Sequence, residues 1–382
     1  DFACTNTKDE FLRNKLNIPS IEYTLESPEE AFNLETQTGR IYQIPEVVNV
    51  YKYDNPGQYL TVQDEAKILA EKLGFEPEKM QRIGTTVYRW ADNQHRTLTA
   101  QARNLTFELK IDLSQRSARP DGELPTEEQA IKYARDFLSD VSMLSRDYER
   151  ETPNIMDIKI EQDGSFKEAK YKQETDLIRV DFIRKASMMT IPSHIENAEE
   201  IRNMLEREGH KSTEEDVITP DGRTALYKFN TDIATSNPYK SNISIYIGAQ
   251  NPDLPGRGIN RIYGIEFKNW VIDQNYCGTY KLLNPAQVLT YVQEGKASLV
   301  YLNEKDGDKV LQAGTKNVRT FKIMEVSLLY YDAPHEQEFL QPVYEVAGEA
   351  TFTNGNTGIF AFYYPAIDYD FIQDNQQDIS SL

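Results

Sequence analysis

Three short amphipathic helices, each starting at a capping residue and followed by strand-like runs, most constrain what this chain can fold into. In the clearest case, within Leu282–Ile367, Asn284 caps a helix over 285–295. The same order starts at Thr61 and again at Thr126. A short helix cannot bury its apolar face alone, so each is expected to lie across a sheet. The predicted fold is α+β, with tandem small antiparallel sheets each covered by a short helix.

This order of elements divides the 382 residues into five segments. The length itself is typical of about two to four domains. A strand is predicted at Ile41–Tyr53, and a charged connecting helix at Ala198–Glu208. The segments are an N-terminal arm with a strand (1–60), a first helix-plus-sheet unit (61–118), a second unit with the connecting helix (119–215), a third unit (216–367) and an acidic tail (368–382).

The charge balance argues against two classes of partner. The chain has 61 Asp and Glu against 42 Lys and Arg, for a formal net charge of −19. Such a surface repels both phosphate backbones and anionic lipids, so no nucleic-acid partner is predicted. No apolar run reaches the length of about 18 residues that spans a bilayer. Because the sequence starts at Asp1 without Met, a signal peptide or a membrane anchor could have preceded it.

Cys4 and Cys277 are the two cysteines of the chain. Two cysteines are too few for a disulfide framework or a cysteine-rich metal site. They could form one bridge between the N-terminal arm and the third unit, worth about 4–5 kcal/mol by chain entropy. The alternative is two unrelated thiols, and their spacing in the sequence does not decide between them.

No recognised catalytic or metal-binding motif emerges from the sequence. None of the histidines has a second ligand at a metal-binding spacing, and no nucleophile elbow, zinc-protease helix or phosphate loop is present. Among 61 carboxylates, proximity in sequence does not identify an acid–base pair. We therefore predict no catalytic, cofactor-binding or metal-binding residue and no enzymatic activity. The histidines are His95, His194, His210 and His335.

Tyrosines crowd the third unit and give a candidate interaction surface. Neighbouring residues of a strand point to opposite faces, so Tyr330 and Tyr331 cannot both enter one core, nor can Tyr363 and Tyr364. Exposed tyrosines suit contacts with proteins or sugars. The alternative is that the second face of the sheet packs on a neighbouring unit. The predicted surface comprises Tyr330, Tyr331, Tyr344, Tyr363 and Tyr364.

The third unit resembles extracytoplasmic regulatory proteins of the YycH/YycI type and the related PepSY-like modules. The resemblance is carried by Gly278–Leu282, the helix Pro285–Gly295, Phe339–Tyr344 and Tyr364–Ile367, and is strongest over 260–367. It implies an outward-facing domain of the bacterial cell envelope, held by a membrane anchor. It also implies envelope or membrane proteins as partners, with a sensor kinase among them, and no cofactor.

Three functional hypotheses follow. The first is a non-enzymatic, membrane-tethered extracytoplasmic protein that acts through protein–protein contacts, as a regulator or a scaffold. The second is a structural or adhesive surface protein that binds carbohydrate or another cell. The third is a hydrolase whose carboxylates converge only in space; two carboxylates in a deep cleft, one in apolar surroundings, would favour it.

Overall fold

A computed structural model of the chain describes residues 4, 16–36, 46–53, 62–102, 106–149, 151–207, 210–219, 222–254, 258–268, 270–304, 315–335 and 337–369. This part of the chain contains helices α1 (Val62–Lys72), α2 (Glu127–Asp140), α3 (Arg146–Glu149), α4 (Ala198–Arg207) and α5 (Pro285–Gln293). Its strands are β1 (Tyr23–Leu25), β2 (Phe32–Leu34), β3 (Val47–Tyr53), β4 (Gln81–Ile83), β5 (Val87–Ala91), β6 (Arg96–Gln101), β7 (Phe107–Ile111), β8 (Asn154–Ile160), β9 (Phe166–Glu168), β10 (Leu177–Asp181), β11 (Arg184–Pro192), β12 (Ser212–Thr219), β13 (Gly222–Ala234), β14 (Ile243–Gly248), β15 (Ile262–Phe267), β16 (Ile272–Lys281), β17 (Ser298–Glu304), β18 (Lys316–Tyr331), β19 (Phe339–Phe352) and β20 (Thr357–Pro365).

Nine strands form one antiparallel sheet in the order β4-β5-β6-β7-β15-β14-β10-β8-β9. Helices α1 and α2 share one hydrophobic core with it, into which Leu69 and Phe137 project. The predicted small sheets, each with its own helix, are therefore wrong. Strand β7 pairs with β15 from Phe107↔Phe267 to Lys110↔Gly264, and this pairing joins two helix-covered sheets into one. In the joined sheet, the backbone N–H and C=O groups of β7 and β15 bond to each other, whereas at two separate sheet edges they would be unpaired.

Eleven strands form the second sheet, whose main path is β11-β13-β18-β19-β20-β17. Short β1 and β2 pair in parallel with the first half of β18, β12 pairs with β13, and β3 joins β16 to β19. Helices α4 and α5 pack into the main core of this sheet. Strands of the predicted third unit, 216–367, lie in both sheets.

Two of the three predicted helix starts have the expected capping contacts. The backbone N–H of Gln129 donates to the Thr126 hydroxyl over 3.2 Å, and the Thr126 N–H donates to the Gln129 side chain over 2.9 Å. The backbone N–H of Ala286 donates to the Asn284 side chain over 2.9 Å. These caps are confirmed; Thr61 lies outside the described residues.

The remaining local predictions fall partly on described residues. The connecting helix is present as α4, and the strand of the N-terminal arm is β3 over 47–53, with 41–45 outside the described residues. Of the acidic tail, only Asp368 and Tyr369 are described. The Asp368 N–H donates to the Lys281 carbonyl over 2.9 Å, and Tyr369 is buried, so the chain is held at this point.

Buried ion pairs lie where the chain crosses between the sheets. Arg179 and Asp181 pair at 2.8 Å near the end of β10. Arg184, the first residue of β11, pairs with Asp332 at 2.7 Å, and each side chain is only 5% exposed. The Tyr53 hydroxyl also donates to Asp332 over 2.7 Å. These contacts fix the end of β18, the strand that carries part of the site described next.

Candidate functional site

The structure buries four of the five tyrosines predicted as an interaction surface. Tyr330 and Tyr344 face the main core of the eleven-stranded sheet. Tyr331 and Tyr363 face a second apolar cluster on the opposite side of the same sheet. All four are fully buried, so for them the prediction is wrong. The physical reason is that both faces of the sheet are covered at these positions.

Tyr364 is half-buried. Its ring stacks on Tyr291 of α5 with the ring centroids 5.0 Å apart. Lys296 Nζ lies 5.1 Å from the centroid of the Tyr291 ring. A groove of about 520 Å³, lined also by Asn17 and Asp368, runs beside this stack. Of the predicted surface, Tyr364 alone is partly exposed, and its ring packs on the protein's own helix.

Cys4 and Cys277 are joined by a disulfide, with their Cα atoms 4.6 Å apart. The bridge links positions 273 residues apart in sequence. It packs against a small buried cluster that includes Tyr280 and Phe339. The alternative of two unrelated thiols does not hold in this structure.

A cleft of about 480 Å³ opens on the face of the eleven-stranded sheet that carries the second apolar cluster. Its lining comes from β17, β18, β19 and β20, from Tyr239 in the loop after β13, and from Thr36. This volume lies within the range of about 300–1,000 Å³ typical of small-molecule sites. A rigid sheet floor and a loop wall therefore form a concave site.

A β-bulge in β18 shapes the cleft floor. The register with β19 shifts between Ile323 and Glu325, so Met324 is the extra residue. Both Met324 and Glu325 line the cleft as a result. Opposite the bulge, a Cβ added to Gly348 would lie 1.9 Å from the Lys322 carbonyl oxygen. Only glycine allows the two backbones to approach this closely.

Glu345 is the central titratable group of the cleft. It lies on β19 between Ser327 of β18 and Tyr363 of β20. Burial raises the pKa of Glu345 to about 7, and the nearby charge of Glu325 adds to the increase. The hydroxyl groups of Tyr363 and Ser327 act in the opposite direction, and Asp232 adds a further small increase. Near neutral pH, Glu345 is therefore protonated about half of the time.

Aromatic and aliphatic side chains form the rest of the wall. The rings of Tyr239 and Tyr301 lie with their centroids 5.1 Å apart. The backbone N–H of Tyr239 donates to the Asn237 side chain over 2.9 Å, which holds the loop in place. Ile359 and Ala361 complete the apolar part. The cleft thus combines hydrophobic walls with carboxyl groups.

Among the described residues, three carboxyl groups line this cleft, namely Glu325, Glu345 and Glu349. Carboxylates attract cations, and aromatic faces attract them further through the ring quadrupole. Long basic side chains keep an apolar stem beside a charged head, which matches apolar walls and acidic groups side by side. The arrangement suits an organic cation on an apolar stem.

Among the described residues, no group of three or more His, Cys, Asp or Glu is arranged to hold a metal ion. His95, His194 and His335 are exposed, and neither they nor His210 line the cleft. No helix in the described part of the chain is long and apolar enough to cross a membrane.

Sequence reasoning missed the Glu345 cleft, although one signal was available. Phe339–Val346 is an apolar strand in which Glu345 is the single charged residue. Burying a lone acid within a strand costs free energy unless a hydrogen bond, an opposite charge or protonation compensates. Tyr239 and Thr36 could not have been assigned to the same site, because they reach it from distant parts of the chain.

No family model, curated protein or solved structure matches this chain. The resemblance to YycH/YycI-type proteins stays a prediction.

Proposed function

We propose that this is a non-enzymatic, membrane-tethered extracytoplasmic protein that acts by contact with other envelope proteins, and that the Glu345 cleft receives a basic side chain of such a partner. The observation that carries the proposal is a cleft with three carboxyl groups and an aromatic wall. A lysine or arginine side chain fits this combination of apolar and charged surface.

The charge of the whole chain supports the same kind of partner. A net charge of −19 attracts basic proteins over long range and raises their rate of encounter. In the cleft, a bound cation favours the ionised form of Glu345, so binding lowers the pKa of this carboxyl group. Binding is expected to be stronger at pH 8 than at pH 6, and to weaken with added salt.

The disulfide supports the proposed compartment. Bridges of this kind persist in oxidising environments, and Cys4–Cys277 closes a loop of most of the chain. The membrane tether and the class of partner rest on the resemblance of the third unit.

The test is an NMR titration with Nα-acetyl-lysine amide, using Nα-acetyl-norleucine amide as its uncharged match. The lysine compound should shift the signals of Glu345 and Tyr239, and the norleucine compound should shift them far less. Glu345→Gln should weaken the binding of the lysine compound by about tenfold at pH 8, as the loss of one charged contact implies. Glu123→Gln changes the net charge equally at an exposed site away from the cleft, and should leave binding unchanged.

Two outcomes would overturn the proposal. One is equal binding of the charged and uncharged compounds at the cleft. The other is equal weakening by Glu345→Gln and Glu123→Gln, since only net charge would then matter.

A hydrolase is the second candidate, favoured by one observation. Glu345, with its raised pKa, shares the cleft with the exposed Glu325. A carboxyl group with a raised pKa beside a second carboxyl group is the arrangement that a general acid and its partner require. Turnover of chromogenic aryl glycosides, abolished by Glu345→Gln, would establish this activity. No turnover by the unmodified protein is the result expected of a binding site.

A further inference from the structure

The hairpin of β12 and β13 leaves one edge of β12 without a partner strand among the described residues. β12 pairs with β13 through all eight of its residues, from Ser212↔Phe229 to Thr219↔Gly222. Within the described residues, β12 pairs with no other strand. β11 occupies the opposite side of β13. Four successive residues, 213–216, are exposed, and Ile218 is 92% exposed. The open side of β12 therefore faces solvent.

The register identifies which backbone groups point outward. Two residues connect Thr219 to Gly222, so these two form the hydrogen-bonded pair that closes the hairpin. Hydrogen-bonded and non-hydrogen-bonded pairs then alternate along the ladder. The N–H and C=O groups of Glu214, Asp216 and Ile218 consequently point away from β13. They form a row of donors and acceptors with the spacing that an added strand requires.

The side chains of this edge restrict which strand can be added. Glu214, Glu215 and Asp216 are consecutive. On the hairpin itself, Lys228 pairs with Glu215 and Arg223 pairs with Asp216. Antiparallel pairing of two copies of β12 would place acidic residues opposite acidic residues, which is destabilising. A second copy of this chain is therefore disfavoured, whereas a basic strand gains opposite-charge pairs.

We propose that the open edge of β12 binds an extended, lysine- or arginine-rich segment of another protein as an additional antiparallel strand. The backbone of the segment would pair with Glu214, Asp216 and Ile218, and its basic side chains would lie beside the acidic ones. This contact is separate from the Glu345 cleft, since none of the residues of β12 lines that cleft. Either site could fail without the other.

The test uses a peptide of alternating lysine and valine, with a peptide of alternating glutamate and valine as its control. Hydrogen exchange at the amides of Glu214, Asp216 and Ile218 is measured by NMR. The lysine peptide should slow exchange at all three amides, and the glutamate peptide should slow none of them. Glu345→Gln should leave this protection unchanged, which separates the edge from the cleft.

A pair of substitutions at one position tests the backbone contact. Ile218→Pro removes an outward N–H without breaking the ladder to β13, and should weaken peptide binding by about tenfold. Ile218→Ala keeps the N–H, and should bind the peptide nearly as the unmodified protein does. Thermal unfolding of both variants shows whether the hairpin is intact.

Three results with the peptides would overturn the inference. These are absent protection with the lysine peptide, equal protection with both peptides, and equal binding by folded Ile218→Pro and Ile218→Ala. Protection that rises with protein concentration alone would also overturn it, because the edge would then bind a second copy.

Discussion

Replacing Glu345 by glutamine should change how the stability of the protein depends on pH. Burial raises the pKa of Glu345 from 4.5 to about 7 in the folded state. The folded protein therefore keeps a proton that the unfolded chain releases between these two values, so the free energy of unfolding falls as pH rises through this window. Glutamine does not titrate, so this part of the pH dependence disappears in Glu345→Gln.

The size of the effect follows from the pKa difference. Each pKa unit corresponds to about 1.4 kcal/mol, so the full shift would cost the folded protein about 3 kcal/mol above pH 7. Water reaches part of the Glu345 side chain, which lowers the expected cost to about 1–3 kcal/mol. At pH 5 most of this cost is absent. Glu345→Gln should thus be more stable than the unmodified protein at pH 8, and similar to it at pH 5.

Urea unfolding at pH 5, 6, 7 and 8 measures this difference, because other titrating groups are shared and cancel between the two proteins. Glu325→Gln is the control, since it removes a neighbouring charge but leaves Glu345 able to titrate. In that variant the midpoint should move to lower pH. Parallel profiles for Glu345→Gln and the unmodified protein would refute a buried carboxyl group with a raised pKa.

Three further variants test other parts of the fold. Gly348→Ala should destabilise the protein by about 1–3 kcal/mol in urea unfolding, because its Cβ would overlap the backbone of the bulge; unchanged stability would contradict the bulge. Asp332→Ala leaves a buried arginine unpaired and should cost about 3–5 kcal/mol, and a cost below about 1 kcal/mol would place the pair in solvent. Replacing Cys4 and Cys277 by serine should cost about 2–5 kcal/mol, as should reduction, whereas no change would show that the bridge is not formed.

Local features of this chain were predictable from its sequence. The caps at Thr126 and Asn284 depend on residues within one helical turn, so a short window contains all the information. The connecting helix from Ala198 likewise shows its own periodicity and end signals.

The assembly of the sheets was not predictable, because it depends on pairing between distant strands. Phe107 pairs with Phe267, and no local signal identifies a partner so far along the chain. The tyrosines were misplaced for the same reason. Alternation along a strand showed that Tyr330 and Tyr331 face opposite sides, but not that both sides are covered.

The cleft has one feature that is visible in the local sequence and others that depend on contacts between distant parts of the chain. Glu345 stands out in its own strand, whereas the bulge at Met324 and the arrival of Tyr239 follow only from the folded backbone. A sequence can therefore point to an unusual carboxyl group without showing the site around it.

The central claim is that Glu345 lies in a cleft that attracts organic cations. Carbon-13 NMR of the Glu345 side-chain carboxyl group measures its pKa directly, with and without Nα-acetyl-lysine amide. We expect a midpoint of about 7 for the protein alone, and a lower midpoint when the lysine compound is bound. A midpoint near 4.5 for the protein alone, or one that the lysine compound does not move, would contradict the claim.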